Sequence, residues 1–220
     1  MNAYDVTLTG KSPLLMHWDN IDYAEQLKIW REVPENKKYQ VKGDDRSPAW
    51  SWIGSLYHDG EHVAMPSDNL GRVAMEGGAS VPVPRGKNGK TFKSQTQSGM
   101  MVEGEFTPLL IGGKAVPVEA IKKLHGELEF SKHQEVAAQH VFCLFVKRAR
   151  IGASKHVRVR PRFDSWSLGF RLHVWDDQLT LSALQDIYRF AGENKGLGDW
   201  RPSSKTPGPF GRFEARVQKI

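Results

Sequence analysis

The 220 residues read as an α+β fold, because alternating strand patterns stand near both ends of the chain and helical apolar stripes follow them. Tyr4, Val6 and Leu8 alternate with Asp5, Thr7 and Thr9 until Gly10 to Pro13 break the pattern. Trp166, Leu168, Phe170, Leu172 and Val174 share one face of a second strand, with Ser165, Ser167, Gly169, Arg171 and His173 opposite. Leu184, Ile187, Tyr188 and Ala191 then fall at helical spacing within residues 182–191, before Gly192 and a last strand over 212–217.

Between these ends the elements are shorter. Leu14 to Trp18 continues the first strand as an apolar run. Residues 22–32 have a helical pattern, with Tyr23, Leu27 and Trp30 on one face, Asp22 as cap and Pro34 as stop. Residues 35–49 are polar and irregular. Trp50–Tyr57 and His62–Met65 read as a hairpin around Asp59-Gly60. Pro66-Ser67-Asp68 sets up a helix over 69–76 that Gly77-Gly78 ends. Residues 84–99 hold four cations and no anion, the composition of a mobile basic loop. A helix over 118–124 and an apolar strand over 141–146 complete the middle. No repeat or long linker interrupts the chain, so one domain is expected, with 35–140 as an insertion or thumb region.

Hydrophobic residues make up 39% and charged residues 25%, which fits a folded, soluble chain. Residues 1–110 carry 12 Lys/Arg against 14 Asp/Glu, whereas 111–220 carry 19 against 11. A positive excess confined to one half is what a localised field facing an anionic partner requires. The single cysteine, Cys143, lies in an apolar run and is expected to be a buried, inert thiol that forms no disulfide within the chain. The start lacks a basic leader, and no apolar run approaches the ~18 residues of a bilayer span. A cytoplasmic location is expected, in a bacterial or phage-infected cell, with no membrane partner.

The main positive segment runs from Lys147 to Phe163 with seven cations and no acid: Lys147, Arg148, Arg150, Lys155, Arg158, Arg160 and Arg162. Val157 and Val159 alternate with Arg158 and Arg160, so an extended backbone would turn the valines inward and the arginines to solvent. Five of the seven are arginine, whose planar fork suits phosphate oxygens and base stacking. Lys87, Lys90 and Lys93 of the loop are expected to clamp the same strand. Near the end, glycines at 196, 198, 208 and 211 permit positive φ and close backbone approach to a ligand. Trp200 and Phe210 interleave there with Arg201, Lys205 and Arg212, a mixture of rings and cations suited to holding a single strand. The three segments together predict a single-strand groove.

Ser12-Pro13-Leu14-Leu15-Met16-His17, Arg160-Pro161-Arg162-Phe163 with Trp166, and Gly196-Leu197-Gly198-Asp199-Trp200-Arg201-Pro202 followed by Phe210-Gly211-Arg212-Phe213 stand out as motifs. Their order resembles the RAMP superfamily of CRISPR-associated proteins, and more closely a family of phage and prophage proteins. The resemblance covers roughly residues 4–18 and 157–217. It implies a ferredoxin-like, RRM-type antiparallel sheet with helices on one face, and RNA binding.

Some RAMP relatives cleave RNA without metal by means of a histidine, which makes His17 and His156 the candidates here. Catalysis also needs a partner in hydrogen-bond reach, and the sequence identifies none. His58 and His62 are separated by Gly60 and do not form a helical metal pair; no metal and no cofactor is expected. The expected function is therefore non-catalytic binding of single-stranded RNA or DNA, as a homo-oligomer along the strand or a subunit of a nucleoprotein complex. Two other readings stay open: a phage protein that docks on a host nucleic-acid-handling protein, and a metal-independent endoribonuclease.

Overall fold

Alternation along the first strand puts Tyr4, Val6 and Leu8 on one side, where all three are buried, and leaves Asp5, Thr7 and Thr9 exposed. The computed structural model describes residues 1–84, 89–151 and 154–220. In chain order the strands are β1 (Asn2–Gly10), β2 (Leu14–Leu15), β3 (Ala64–Pro66), β4 (Met100–Val102), β5 (Phe106–Pro108), β6 (Leu110–Ile111), β7 (Lys114–Ala115), β8 (Cys143–Ile151), β9 (Ser154–Phe163), β10 (Ser167–Val174) and β11 (Phe213–Lys219). The α-helices are α1 (Ile21–Glu32), α2 (Ser67–Gly78), α3 (Lys93–Ser98), α4 (Glu119–Lys122), α5 (Phe130–Gln139) and α6 (Leu181–Asn194). Three-ten helices cover Pro34–Tyr39 and Ala49–Ser55.

The chain divides into two compact units. The first comprises 1–14, 64–115 and 164–220, and the second 15–63 and 116–163. This division differs from the expected single insertion over 35–140. Residues 64–115 join the first unit because β4 pairs with β10 and α2 packs on α6.

In the first unit β1 lies between β11 and β10, antiparallel to both, and β4 pairs antiparallel with the far edge of β10. Four strands of this six-stranded sheet thus stand in the order β11-β1-β10-β4, and the short β6-β7 pair also joins β10; α2 lies between β1 and β4 in sequence and α6 between β10 and β11. One face of the sheet is apolar: Leu168, Phe170, Leu172 and Val174 join the three side chains of β1 in the core. Phe170 meets Tyr188 of α6 at 6.3 Å between ring centroids. Gly77 of α2 allows the close approach of α6, since a Cβ there would stand 2.5 Å from the carbonyl of Ile187. On the opposite face Arg171 lies 3.6 Å from Asp5, and His173 contacts Glu103 at 2.6 Å.

The second unit is built on rings. Trp50, Trp52 and Ile53 are buried in the three-ten helix, where a strand had been expected; near-continuous burial needs a tight turn rather than period-two alternation. Trp52 packs on Phe142 at 5.9 Å, and Phe142 stacks on Phe163 at 5.1 Å. His133 is fully buried in this core: its Nδ1 accepts from Trp52 Nε1–H at 3.1 Å and its Nε2 lies 3.0 Å from the Glu127 carbonyl. That pairing fixes a neutral ring with the proton on Nε2. Helix α1 turns Tyr23, Leu27 and Trp30 toward the unit as its least exposed residues but buries none of them. Its cap is Asn20 rather than Asp22; the Asn20 carboxamide oxygen accepts from the amides of Asp22 and Tyr23. The turn at Asp59-Gly60 forms as expected, with a bridge between His58 and Val63.

Candidate nucleic-acid interface

The basic segment folds as a hairpin. β8 and β9 pair antiparallel from Cys143↔Arg162 to Ile151↔Ser154. Directly paired residues share a side of such a ribbon, so Val146 and Val159 lie on one side, and Lys147 with Arg158 and Phe145 with Arg160 on the other. Leu144 and Val159 are buried. Beyond the Val146–Val159 pair, toward the turn, no described side chain is buried. Lys147, Arg148 and Lys155 are exposed in that stretch. The Arg150 side chain is outside the described residues. Cys143 is exposed rather than buried, because alternation points its neighbours Phe142 and Leu144 to the core and leaves it on the side of Arg162.

Nearer the core, the arginines do not face open solvent as expected. β9 is braced by the segment 43–45: Val157 N–H donates to the Gly43 carbonyl at 2.7 Å and Asp45 N–H to the Val157 carbonyl at 2.9 Å. This seats the Asp45 carboxylate between Arg158, whose Nη1 lies 2.8 Å away, and Arg160 at 3.4 Å. The Arg160 side chain is only 13% exposed. Sequence distance hid this counter-ion, since Asp45 stands more than a hundred residues away in a stretch read as irregular. Two guanidinium groups thus share this one carboxylate. Arg162 is half-buried, its guanidinium 5.9 Å from the Phe145 ring centroid.

The hairpin belongs to the second unit, while Lys90, Lys93 and the Gly-rich segment belong to the first. Lys90 and Lys93 are exposed. Lys87 is outside the described residues. The second part of the expected mobile loop is ordered as α3, which buries Gln95 and Thr96 and begins at Lys93. A bridge between Pro82 and Thr91 closes the segment before it.

The Gly-rich segment is packed on itself. Gly196, Gly198 and Gly211 have positive φ, as expected, and at Gly196, Gly208 and Gly211 the close approach is to their own loop. A Cβ on Gly211 would stand 1.8 Å from the Leu197 carbonyl, and one on Gly208 2.0 Å from that of Trp200. The amides are occupied too: Leu197 N–H donates to the Gly211 carbonyl at 2.9 Å and Gly211 N–H to Pro13 at 2.8 Å. Trp166 Nε1–H donates to the Ser12 carbonyl at 2.9 Å, and Arg212 N–H to Ser12 Oγ at 2.9 Å. Motifs from both ends of the sequence thereby meet in one structural junction rather than an open anion cradle.

Three of the expected contact residues are engaged within the first unit itself. Phe210 is buried, tilted against the half-buried Trp200 at 5.4 Å, so it offers no stacking surface. Arg201 forks onto Glu76 at 2.6 and 2.8 Å and is only 16% exposed, which makes it a structural anchor. The guanidinium of Arg201 and its neighbours Arg72 and Ser203 hold the Glu76 carboxyl at about 2, against the burial that would raise it. Arg212 is exposed, yet its guanidinium donates to the Glu193 carbonyl.

Of the two histidines considered for catalysis, His17 is exposed with Nε2 3.2 Å from Arg160 Nη2. A guanidinium only donates, so this contact engages the lone pair that a general base would use. His156 is half-buried, with Nδ1 buried and unpartnered. Among the described residues no group of three His, Cys, Asp or Glu side chains is gathered to hold a metal ion. No described helix is long and apolar enough to cross a membrane. No protein-family model matches the chain, and no curated protein matches its sequence.

Proposed function

We propose that the chain binds single-stranded nucleic acid, RNA or DNA, without cleaving it, and that the β8–β9 hairpin is its grip. The observation that carries this reading is the outer half of the hairpin. Lys147, Arg148 and Lys155 are exposed there on a two-stranded ribbon with no described buried side chain to support, so packing does not account for their presence. Arg158 and Arg162 continue the Lys147 side toward the core, while Arg148 and Lys155 lie on the other side of the ribbon. Backbone phosphates are the ligand chemistry that such a ribbon suits, because charge and forked donors attract them in any base sequence.

The strand order β11-β1-β10-β4, with α2 and α6 as the connecting helices, is the order of a ferredoxin-like domain and supports the RAMP-like reading of the first unit. In that reading the chain acts in the cytoplasm of a bacterial or phage-infected cell, in repeated copies along a strand or within a nucleoprotein complex. Fluorescence anisotropy with matched single-stranded RNA, single-stranded DNA and duplex tests it. Tighter binding of either single strand than of duplex is expected; equal, salt-independent binding of all three, or none, would refute it.

A further inference from the structure

In the second unit a cleft of about 230 Å³ opens between α1, the three-ten helix Ala49–Ser55 and β9. Its lining is mixed in chemistry. Tyr23 and Leu27 of α1, with Trp52 behind them, form an apolar wall. Arg158 and Arg160 of β9 and Asp45 also line the cleft, with Asp19 and with Arg31 from the same helix as Tyr23 and Leu27. Gly54 lets the three-ten helix pack closely on α1, since a Cβ there would meet Tyr23 Cβ at 2.8 Å. The start of α1 contributes no free anion site, because the Asn20 carboxamide already takes its amides.

The geometry points to a seat for one nucleotide of the bound strand, with its phosphate on Arg158 and Arg31 and its ring against Tyr23 and Leu27. This inference rests on the proposed function and names a subsite within it. The lining holds the guanidinium groups of Arg31, Arg158 and Arg160 against the carboxylates of Asp19 and Asp45, a net single positive charge, and Asp45 holds Arg158 and Arg160 in place before a ligand arrives. The apolar wall is what distinguishes a nucleotide from a bare anion. Continuity with the hairpin follows from register: Arg158 is paired with Lys147 on the same side of the ribbon, about 5 Å apart at Cβ. A strand gripped at Lys147 is thereby led to the mouth of the cleft.

Hydrogen exchange of the α1 amides gives a readout separate from overall affinity, because α1 buries no side chain and opens at low free energy. The full chain is measured alone, with adenosine monophosphate, with inorganic phosphate, and with a ten-nucleotide single strand. Protection of residues 21–32 is expected with the monophosphate and with the strand, and less with inorganic phosphate. Leu27→Glu, which places a carboxylate in the cleft at a half-exposed position, is expected to abolish protection by the monophosphate and weaken strand binding about tenfold. Leu27→Met should retain both. Joint replacement of Lys147, Arg148 and Lys155 by Ala should weaken strand binding and leave protection by the monophosphate intact. A strand that binds without protecting α1, or a Leu27→Glu protein that still responds to the monophosphate, would overturn the nucleotide seat and leave the proposed function standing. Absence of strand binding altogether would remove both.

Discussion

Arg158 Nη1 donates to Asp45 Oδ1 at 2.8 Å, and this one bond ties the basic hairpin to a loop 113 residues earlier in the sequence. The same carboxylate also faces the mostly buried Arg160, so its removal takes a counter-ion from two guanidinium groups. Asp45→Ala is expected to destabilise the protein by about 1–3 kcal/mol. Adding Arg160→Met should restore part of that loss, since the second change removes a mostly buried charge. Urea denaturation of the two variants and the wild type checks both statements.

Glu76 sets an acid limit on the first unit. Its folded carboxyl, at about 2, lies below its ordinary value of 4.5, so its contribution is present above 4.5 and lost as pH falls toward 2. Arg201→Gln should lower stability at neutral pH by about 1–3 kcal/mol and flatten the pH dependence in that window. Thermal melts of wild type and variant between pH 2 and 7 provide the comparison. An unchanged acid slope in the variant would assign the effect to other carboxylates.

His133 sets a second limit at milder pH. Burial depresses its pKa below 6.5, so the unfolded chain takes up a proton at a pH where the folded ring does not. Stability contributed by the neutral ring is therefore complete above 6.5 and falls as pH drops below that value. His133→Phe should remove this dependence between pH 6.5 and 5 while costing stability at pH 7.5, because Trp52 Nε1–H loses its acceptor. Denaturant midpoints at the three pH values test it.

Glycine at 211 is required by two separate constraints, positive φ and contact with the Leu197 carbonyl. Gly211→Ala is expected to destabilise by more than about 2 kcal/mol. Gly71→Ala offers the contrast: that helical glycine has nothing within 4 Å of an added Cβ, so the substitution should be neutral or stabilising. Melting temperatures of the two variants give the answer directly.

The antiparallel sheet of the first unit was legible because its strands bury one face only, which writes burial into the sequence as alternation at Tyr4–Leu8 and Trp166–Val174. Helix α6 was legible from its stripe and α2 from Pro66-Ser67-Asp68 at its start, but both include the glycines expected to end them. Trp50–Ser55 was not, because burial around a three-residue turn leaves no period-two or helical signature. The cation positions of the hairpin were equally visible, but their partners were not: Asp45 for Arg158 and Arg160, and Glu76 for Arg201, are contacts made only by folding. The glycines of 196–211 signalled close approach without saying to what. The cleft beside α1 left no local pattern, since its lining comes from segments more than a hundred residues apart.

The account turns on the outer hairpin. Its most direct test is the salt dependence of single-strand binding by wild type and by the protein with Lys147, Arg148 and Lys155 all replaced by Ala, side chains whose loss opens no cavity. Each lost phosphate contact on a single strand reduces the slope of log K against log salt by about 0.7. The account predicts weaker binding at low salt and a slope shallower by about 2. Unchanged affinity and unchanged slope in the triple variant would contradict it.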